Sequence, residues 1–402
     1  MQKFLTFILL GCFSLGLAAQ AEPLRIHNDS YPIHSPYLAT LSEALNQAGD
    51  TPYEILALEP RAGRRAISFV RNGQKIRLSL YAQSKPAPLV FVMAGVGGDG
   101  SSGSSQMLAE EIYKMGFSAV TIPDPLSWQY IVAHSTNGLT GYGPEDAVEV
   151  FSLLKNIDHF LKHKRKLKIR GYSFVGYSFG ALEGAFLHQY DLQQKHFHFS
   201  RVVLINPPVD VGYGIDVLDS LYAAGQSFTT AHKKFIYQTV LDLGEQAYFS
   251  LHPLQFLESQ HKALKEQDER FAVGYSFEYS LQQILSAQQQ LRKEAPSAGV
   301  VTFRDYLEKD VYPYLKTKMT LDEFSLSGSL YATEDILRND SRVFVMDNND
   351  DFLLRPQDLH YLKGVLGERF VLFSYGGHVG NLTTKIHQDA LKDILMSGFS
   401  GK

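Results

Sequence analysis

Short, wholly apolar runs that recur between helical stripes constrain this chain more than any other feature of its sequence. From Ala66 onward "APLVFVMAG", "SAVTIP", "IRGYSFV", "RVVLINPP", "RVFVM" and "RFVLF" are each too short for a helix and too continuously apolar for a strand wetted on one face. Between them, "SSQMLAEEIYKMGF" sets Leu108, Ile112 and Met115 on one side of a helix. "PEDAVEVFSLLKNIDHFLKH" likewise sets Val150, Leu154, Ile157 and Leu161 in a stripe. Strands buried on both faces and joined through helices predict an α/β fold on a mostly parallel sheet flanked by helices. "RAISFVRNGQKIRLSLYAQ" adds an expected hairpin turning at Asn72-Gly73. From 211 to 339 the strand runs stop and the sequence turns glutamine-rich, aromatic-rich and helical. We expect a helical cap there, inserted between two parts of one core, 66–210 and 340–402. The N-terminal extension, 22–65, carries a short expected helix near Ser35 to Gln47 and no readable function.

The start of the chain, "MQKFLTFILLGCFSLGLAAQAEP", has one lysine, an apolar stretch from Phe4 to Leu17 and small residues ending in Ala19-Gln20-Ala21. This pattern predicts an export leader, 1–21, and therefore a periplasmic or extracellular protein with no membrane span once the leader is removed. Leu9-Leu10-Gly11-Cys12 offers a lesser alternative, a lipid anchor on Cys12. Cys12 is the only cysteine, so the chain beyond it can form neither a disulfide nor a thiolate metal site. A formal charge of −4 offers no general attraction to nucleic acid. The basic run from Leu161 to Arg170 reads as a solvated turn after a helix C-terminus, where cations favour the dipole.

Gly-Tyr-Ser-Phe occurs three times, and only the copy around Ser178 is followed by glycine. Gly176, Ser178 and Gly180 thus complete G-x-S-x-G, with an apolar strand before it and the helical "ALEGAFLHQY" after it. That context describes a sharp turn holding a serine up as a nucleophile. Ser173 and Ser276 lack the second glycine and read as structural. A serine hydroxyl needs a base, and a base needs an orienting acid. "FSYGGHVGNL" supplies His378, and "VMDNNDDFLLRP" supplies Asp347, Asp350 and Asp351. Each group follows a strand, which brings all of them to the carboxyl edge of a parallel sheet. Asp210, after another strand, is a further candidate acid.

In its elbow, late acid and C-terminal histidine the chain resembles the α/β-hydrolase superfamily, over 66 to about 210 and from 341 to the end, with the insert unmatched. The resemblance implies a catalytic triad of Ser178, His378 and Asp350. It also implies an oxyanion hole made by the backbone amides of Val96, in the glycine-rich "MAGVGGDGSSG", and Phe179, next after the nucleophile. Two departures stand out: Ala94-Gly95 where many relatives have His-Gly, and "TIPDPLSW" without the Arg-Gly that often ends that strand. The implied activity is ester hydrolysis through an acyl-enzyme, with no metal or organic cofactor. The implied substrate is a small-molecule or lipid-like acyl compound. Thioester or peptide cleavage, or a non-catalytic binding role on the same scaffold, are the alternatives. Aromatic residues of the insert favour an apolar acyl or aromatic substrate.

Other chemistries fit less well. "DNNDD" has Phe352 where a calcium loop needs glycine, and "HFH" at His196 to His198 with His188 lacks the spacing of a metal site. The glycine-rich loop has no Lys-Ser or Lys-Thr to make it a phosphate cradle.

Overall fold

The computed structural model describes residues 26–27, 31–63, 75–294, 299–315 and 319–399. The expected leader, Cys12 and the Asn72-Gly73 turn lie outside the described residues. Among the described residues nine strands form one sheet: β1 (Ile26–His27), β2 (Glu54–Leu58), β3 (Ile76–Tyr81), β4 (Ala87–Met93), β5 (Ser118–Ile122), β6 (Ile169–Tyr177), β7 (Val202–Ile205), β8 (Val343–Asn348) and β9 (Phe370–Phe373). Their order is β1-β9-β8-β7-β6-β4-β5-β3-β2. β3 is antiparallel to both of its neighbours, and every other pairing is parallel.

α1 (Pro36–Leu41), which a short 3-10 turn extends from Ser42 to Leu45, lies in the chain between β1 and β2, the strands at opposite ends of the sheet. Parallel neighbours need long connections, and in the core helices provide them: α2 (Gly103–Lys114), α3 (Trp128–Ala133), α4 (Gly143–His163) and α5 (Phe179–Gln194). Side chains alternate along each strand, so Leu89, Phe91 and Met93 of β4 face one layer while Val90 and Val92 face the other. The first layer contains α4, whose Val150, Leu154, Ile157 and Leu161 are fully buried, together with α5. The second contains α2 through Leu108 and Ile112.

Between β7 and β8 the chain is helical: α6 (Val211–Ala223), α7 (Thr230–Tyr248), α8 (Pro253–Ser259), α9 (Glu266–Arg292), α10 (Phe303–Tyr306), α11 (Tyr312–Leu315), α12 (Leu321–Ser327) and α13 (Glu334–Asn339). No strand occurs there among the described residues. The chain then returns through β8, α14 (Pro356–Leu366), β9 and α15 (Lys385–Ser397), with α14 on the α4 face and α15 on the α2 face. This is the α/β-hydrolase fold. Among the described residues no helix is long and apolar enough to cross a membrane.

Candidate active site

Four adjacent parallel strands, β6 to β9, end at one edge of the sheet and deliver one polar group each. β6 leads directly into Ser178, which serves as the N-cap of α5 with φ 56° and ψ −129°, a conformation that non-glycine residues rarely adopt. The turn closes only because its flanks have no side chain: a methyl at Gly176 would overlap the carbonyl of Gly180, and one at Gly180 that of Ala94. The Ser178 amide donates to Ile205 O at 2.8 Å, which ties the turn to β7. Strain of this kind costs about 1–3 kcal/mol and persists only where surrounding structure enforces it.

The imidazole of His378 lies over this serine, with Nε2 2.8 Å from Ser178 Oγ. Its other nitrogen, Nδ1, lies 2.8 Å from Asp351 Oδ2. A carboxylate can only accept, so Nδ1 carries the hydrogen and Nε2 is left free to receive the serine proton. The histidine and aspartate side chains are about fully buried, at 2% and 1% exposure, so water does not compete for either bond.

The acid on the imidazole is therefore Asp351, not the Asp350 expected from the resemblance. β8 ends at Asn348, and the Asp351 amide donates back to Asn348 O at 3.1 Å. That turn swings Asp351 over the sheet edge and aims Asp350 at the next loop, where its Oδ1 accepts from the Gly377 amide at 2.9 Å. Burial raises the Asp350 carboxyl to about 6. Asp347 accepts from Asn206 Nδ2 and from the Asn348 amide, both at 2.8 Å. Burial, and then the neighbouring Asp351 charge, pushes its carboxyl well above the usual range. Asp210 caps α6 by accepting from the Tyr213 amide at 3.1 Å, and pairs with Arg355 at 2.7 Å.

Asn206 is a site residue that the sequence reading missed. It follows β7 with φ 48°, and its Nδ2 also donates to Asp351 Oδ2 at 2.9 Å. Asp351 Oδ1 accepts from the Leu353 amide at 2.9 Å, so the carboxylate is held from several sides. The signal was present: a polar residue ending the buried run "RVVLIN" sits at the same carboxyl edge as the elbow.

Val96 and Phe179 border the same cavity as Ser178. Among the described residues neither of their backbone amides has a protein acceptor. The cavity wall is completed by Leu126 from the core and by Val211, Ile215, Phe277 and Leu307 from the inserted helices, and no charged side chain lines it. Tyr306 presents its ring, because its hydroxyl already donates to Thr140 O at 2.6 Å and accepts from Gln288 at 2.7 Å. Such a wall is complementary to apolar groups. His188 is engaged by Asp340 at 2.9 Å, and no His, Cys, Asp and Glu group among the described residues is arranged to hold a metal ion.

Comparisons with known proteins add resemblance in shape. No protein-family profile and no curated protein matches the sequence. Among solved structures, a thioesterase domain from the curacin biosynthetic pathway is 14% identical with a TM-score of 0.42, over 86% of this chain and 99% of that one. A hyperthermophilic esterase from the archaeon Pyrobaculum calidifontis is 13% identical with a TM-score of 0.41, over 91% and 90%. Est1E from Butyrivibrio proteoclasticus is 9% identical with a TM-score of 0.43, over 86% and 99%. At these values the pairs say nothing about substrate.

Proposed function

We propose that this chain is an exported serine hydrolase that cleaves carboxylic esters bearing an apolar acyl group, through an acyl-enzyme on Ser178. The observation that carries the reading is the unbroken row Ser178 Oγ, His378 Nε2, His378 Nδ1 and Asp351 Oδ2, with 2.8 Å at each of its two hydrogen bonds, beside an apolar cavity that Ser178 itself lines. His378 takes the serine proton as Oγ adds to the ester carbonyl, while Asp351 keeps the imidazole in the required tautomer and stabilises its cation. The amides of Val96 and Phe179 receive the developing oxyanion. His378 then protonates the departing alcohol. In the second half it draws a proton from water, which releases the acid and restores Ser178. Residues 1–21 would serve as the export leader, removed before the enzyme acts.

The test uses the chain without its leader, short p-nitrophenyl esters and a fluorophosphonate. Stoichiometric labelling at Ser178, and a fall in kcat of at least about 1000-fold in Ser178→Ala, are expected. A Ser178→Ala protein that keeps the wild-type rate ends this assignment, and a chain that never labels is a binder on the same scaffold. Matched ester, thioester and amide substrates of one acyl group separate the reactions that the same row of groups can perform.

A further inference from the structure

The N-terminal extension lies between the inserted helices and the histidine loop. On one side of α1, Ser35 Oγ donates to Glu269 of α9, and the Arg270 guanidinium sits 5.4 Å from the Tyr37 ring centre. On the other side Tyr37 stacks on Phe352, the residue after Asp351, at 5.1 Å. The last contact reaches the site itself: Thr40 Oγ1 accepts from the backbone amide of His378 at 2.8 Å and donates to Pro36 O at 2.8 Å. Tyr31 OH donates to Gly380 O at 3.2 Å. The packing is close enough that a methyl on Gly377, at φ +53°, would overlap the Pro36 carbonyl, and one on Gly380 that of Ala39.

We propose that α1 is a clamp that sets the position of the His378 imidazole, with Thr40 as the positioning residue. The inference rests on reading Ser178, His378 and Asp351 as a triad. It follows from where the constraint is applied. The ring of His378 is fixed at both nitrogens, yet its backbone sits in a glycine-rich loop, Tyr375-Gly376-Gly377-His378, whose intrinsic freedom is high. A hydroxyl bonded to the His378 amide, and held in turn by the first residue of its own helix, removes that freedom from outside the hydrolase core. Because the same helix is tied to α9, the position of the base is linked to the helices that wall the acyl cavity. Thr40 touches no substrate and acts through His378 alone.

The experiment compares Thr40→Val, which keeps the shape and deletes the hydroxyl, with Thr40→Ser, which keeps the hydroxyl. Fluorophosphonate titration counts competent sites, so that loss of folded protein is not read as loss of rate. Thr40→Val is expected to lower kcat per titrated site for p-nitrophenyl acetate by roughly 10- to 100-fold, as small displacements of a catalytic group do, with KM unchanged. Thr40→Ser is expected to recover most of it. Amide hydrogen exchange over 374–381 is expected to quicken in Thr40→Val and to stay at the wild-type rate in Thr40→Ser. Should Thr40→Val fail to accumulate, Ser35→Ala loosens the same helix at its far end and is expected to quicken exchange over the same residues. Wild-type kcat per site in Thr40→Val overturns the proposal. So does unchanged exchange at the His378 amide. If the wild-type chain neither labels nor hydrolyses esters, the triad reading fails by itself, and the exchange measurement still decides whether Thr40 holds the loop.

Discussion

A hydroxyl of ordinary acidity attacks a carbonyl only when its proton has somewhere to go, and in the proposed reaction of Ser178 that route is a nitrogen 2.8 Å away. Two adjacent aspartates then take different partners: Asp351 bonds the imidazole, and Asp350 accepts from the Gly377 amide. Asp351→Asn should therefore lower kcat by about 1000- to 10,000-fold, the usual cost of presenting the wrong tautomer. Asp350→Asn should lower it by about tenfold or less, because an amide oxygen still accepts from Gly377. Steady-state ester kinetics of the two variants check this, and the opposite ranking would return the orienting role to Asp350. Asp350 also predicts a pH effect on stability. Its folded value, about 6, lies above the usual aspartate value, so the folded state holds this proton more tightly than the unfolded chain does. The resulting stabilisation is complete at low pH and is lost as pH rises through about 6. Asp350→Asn has no charge to bury and should melt above the wild type at pH 8. The sequence offered Asp347, Asp350, Asp351 and Asp210, and the resemblance pointed to Asp350. The choice depends on how the turn after β8 closes, which no local pattern reveals, and that turn brings Asp351 to the imidazole.

At the scale of single elements, α15 carries a histidine in an apolar setting. His387 packs against Phe373 with ring centres 5.3 Å apart, and neither of its nitrogens has a hydrogen-bond partner among the described residues. Burial pushes its imidazole down to about 3. The folded state therefore refuses a proton that the unfolded chain accepts near 6.5, so stability is intact above pH 6.5 and declines as pH falls toward 3. At pH 5 the loss is roughly 2 kcal/mol. His387→Phe should flatten the dependence of urea-unfolding free energy on pH between 6.5 and 5, and an unaltered slope would assign the acid sensitivity elsewhere. Most elements were legible for a common reason: runs such as "RVVLI" and stripes such as Val150, Leu154 and Ile157 are apolar because both faces of the sheet are covered. β1 and β2 were not foreseen. β1 has only two residues, too few for any periodicity to register. β2 alternates buried Leu56 and Leu58 with exposed Ile55, and an apolar side chain on the wet face hides the alternation.

Across the whole molecule, the inserted helices are fastened to the core by polar contacts within an apolar interface. Tyr306 is one of them: fully buried, it spans from Thr140 of the core to Gln288 of α9. Tyr306→Phe strips a partner from both and should destabilise the protein by about 1–3 kcal/mol in denaturant unfolding. It should leave the ester KM nearly unchanged, since the ring that faces the cavity remains. That fastening was invisible in the sequence, as was the purpose of the N-terminal extension, because both depend on contacts between residues far apart in the chain. The elbow could be read because its parts are contiguous. The pairing of β1 with β9, and of Thr40 with the loop after β9, joins segments far apart in the chain, 338 positions in the case of Thr40 and His378. Contacts of that range carry a large loop-closure cost and reward the chain only once the sheet between them exists. This edge of the sheet should therefore close late in refolding, after the strands at its centre have paired.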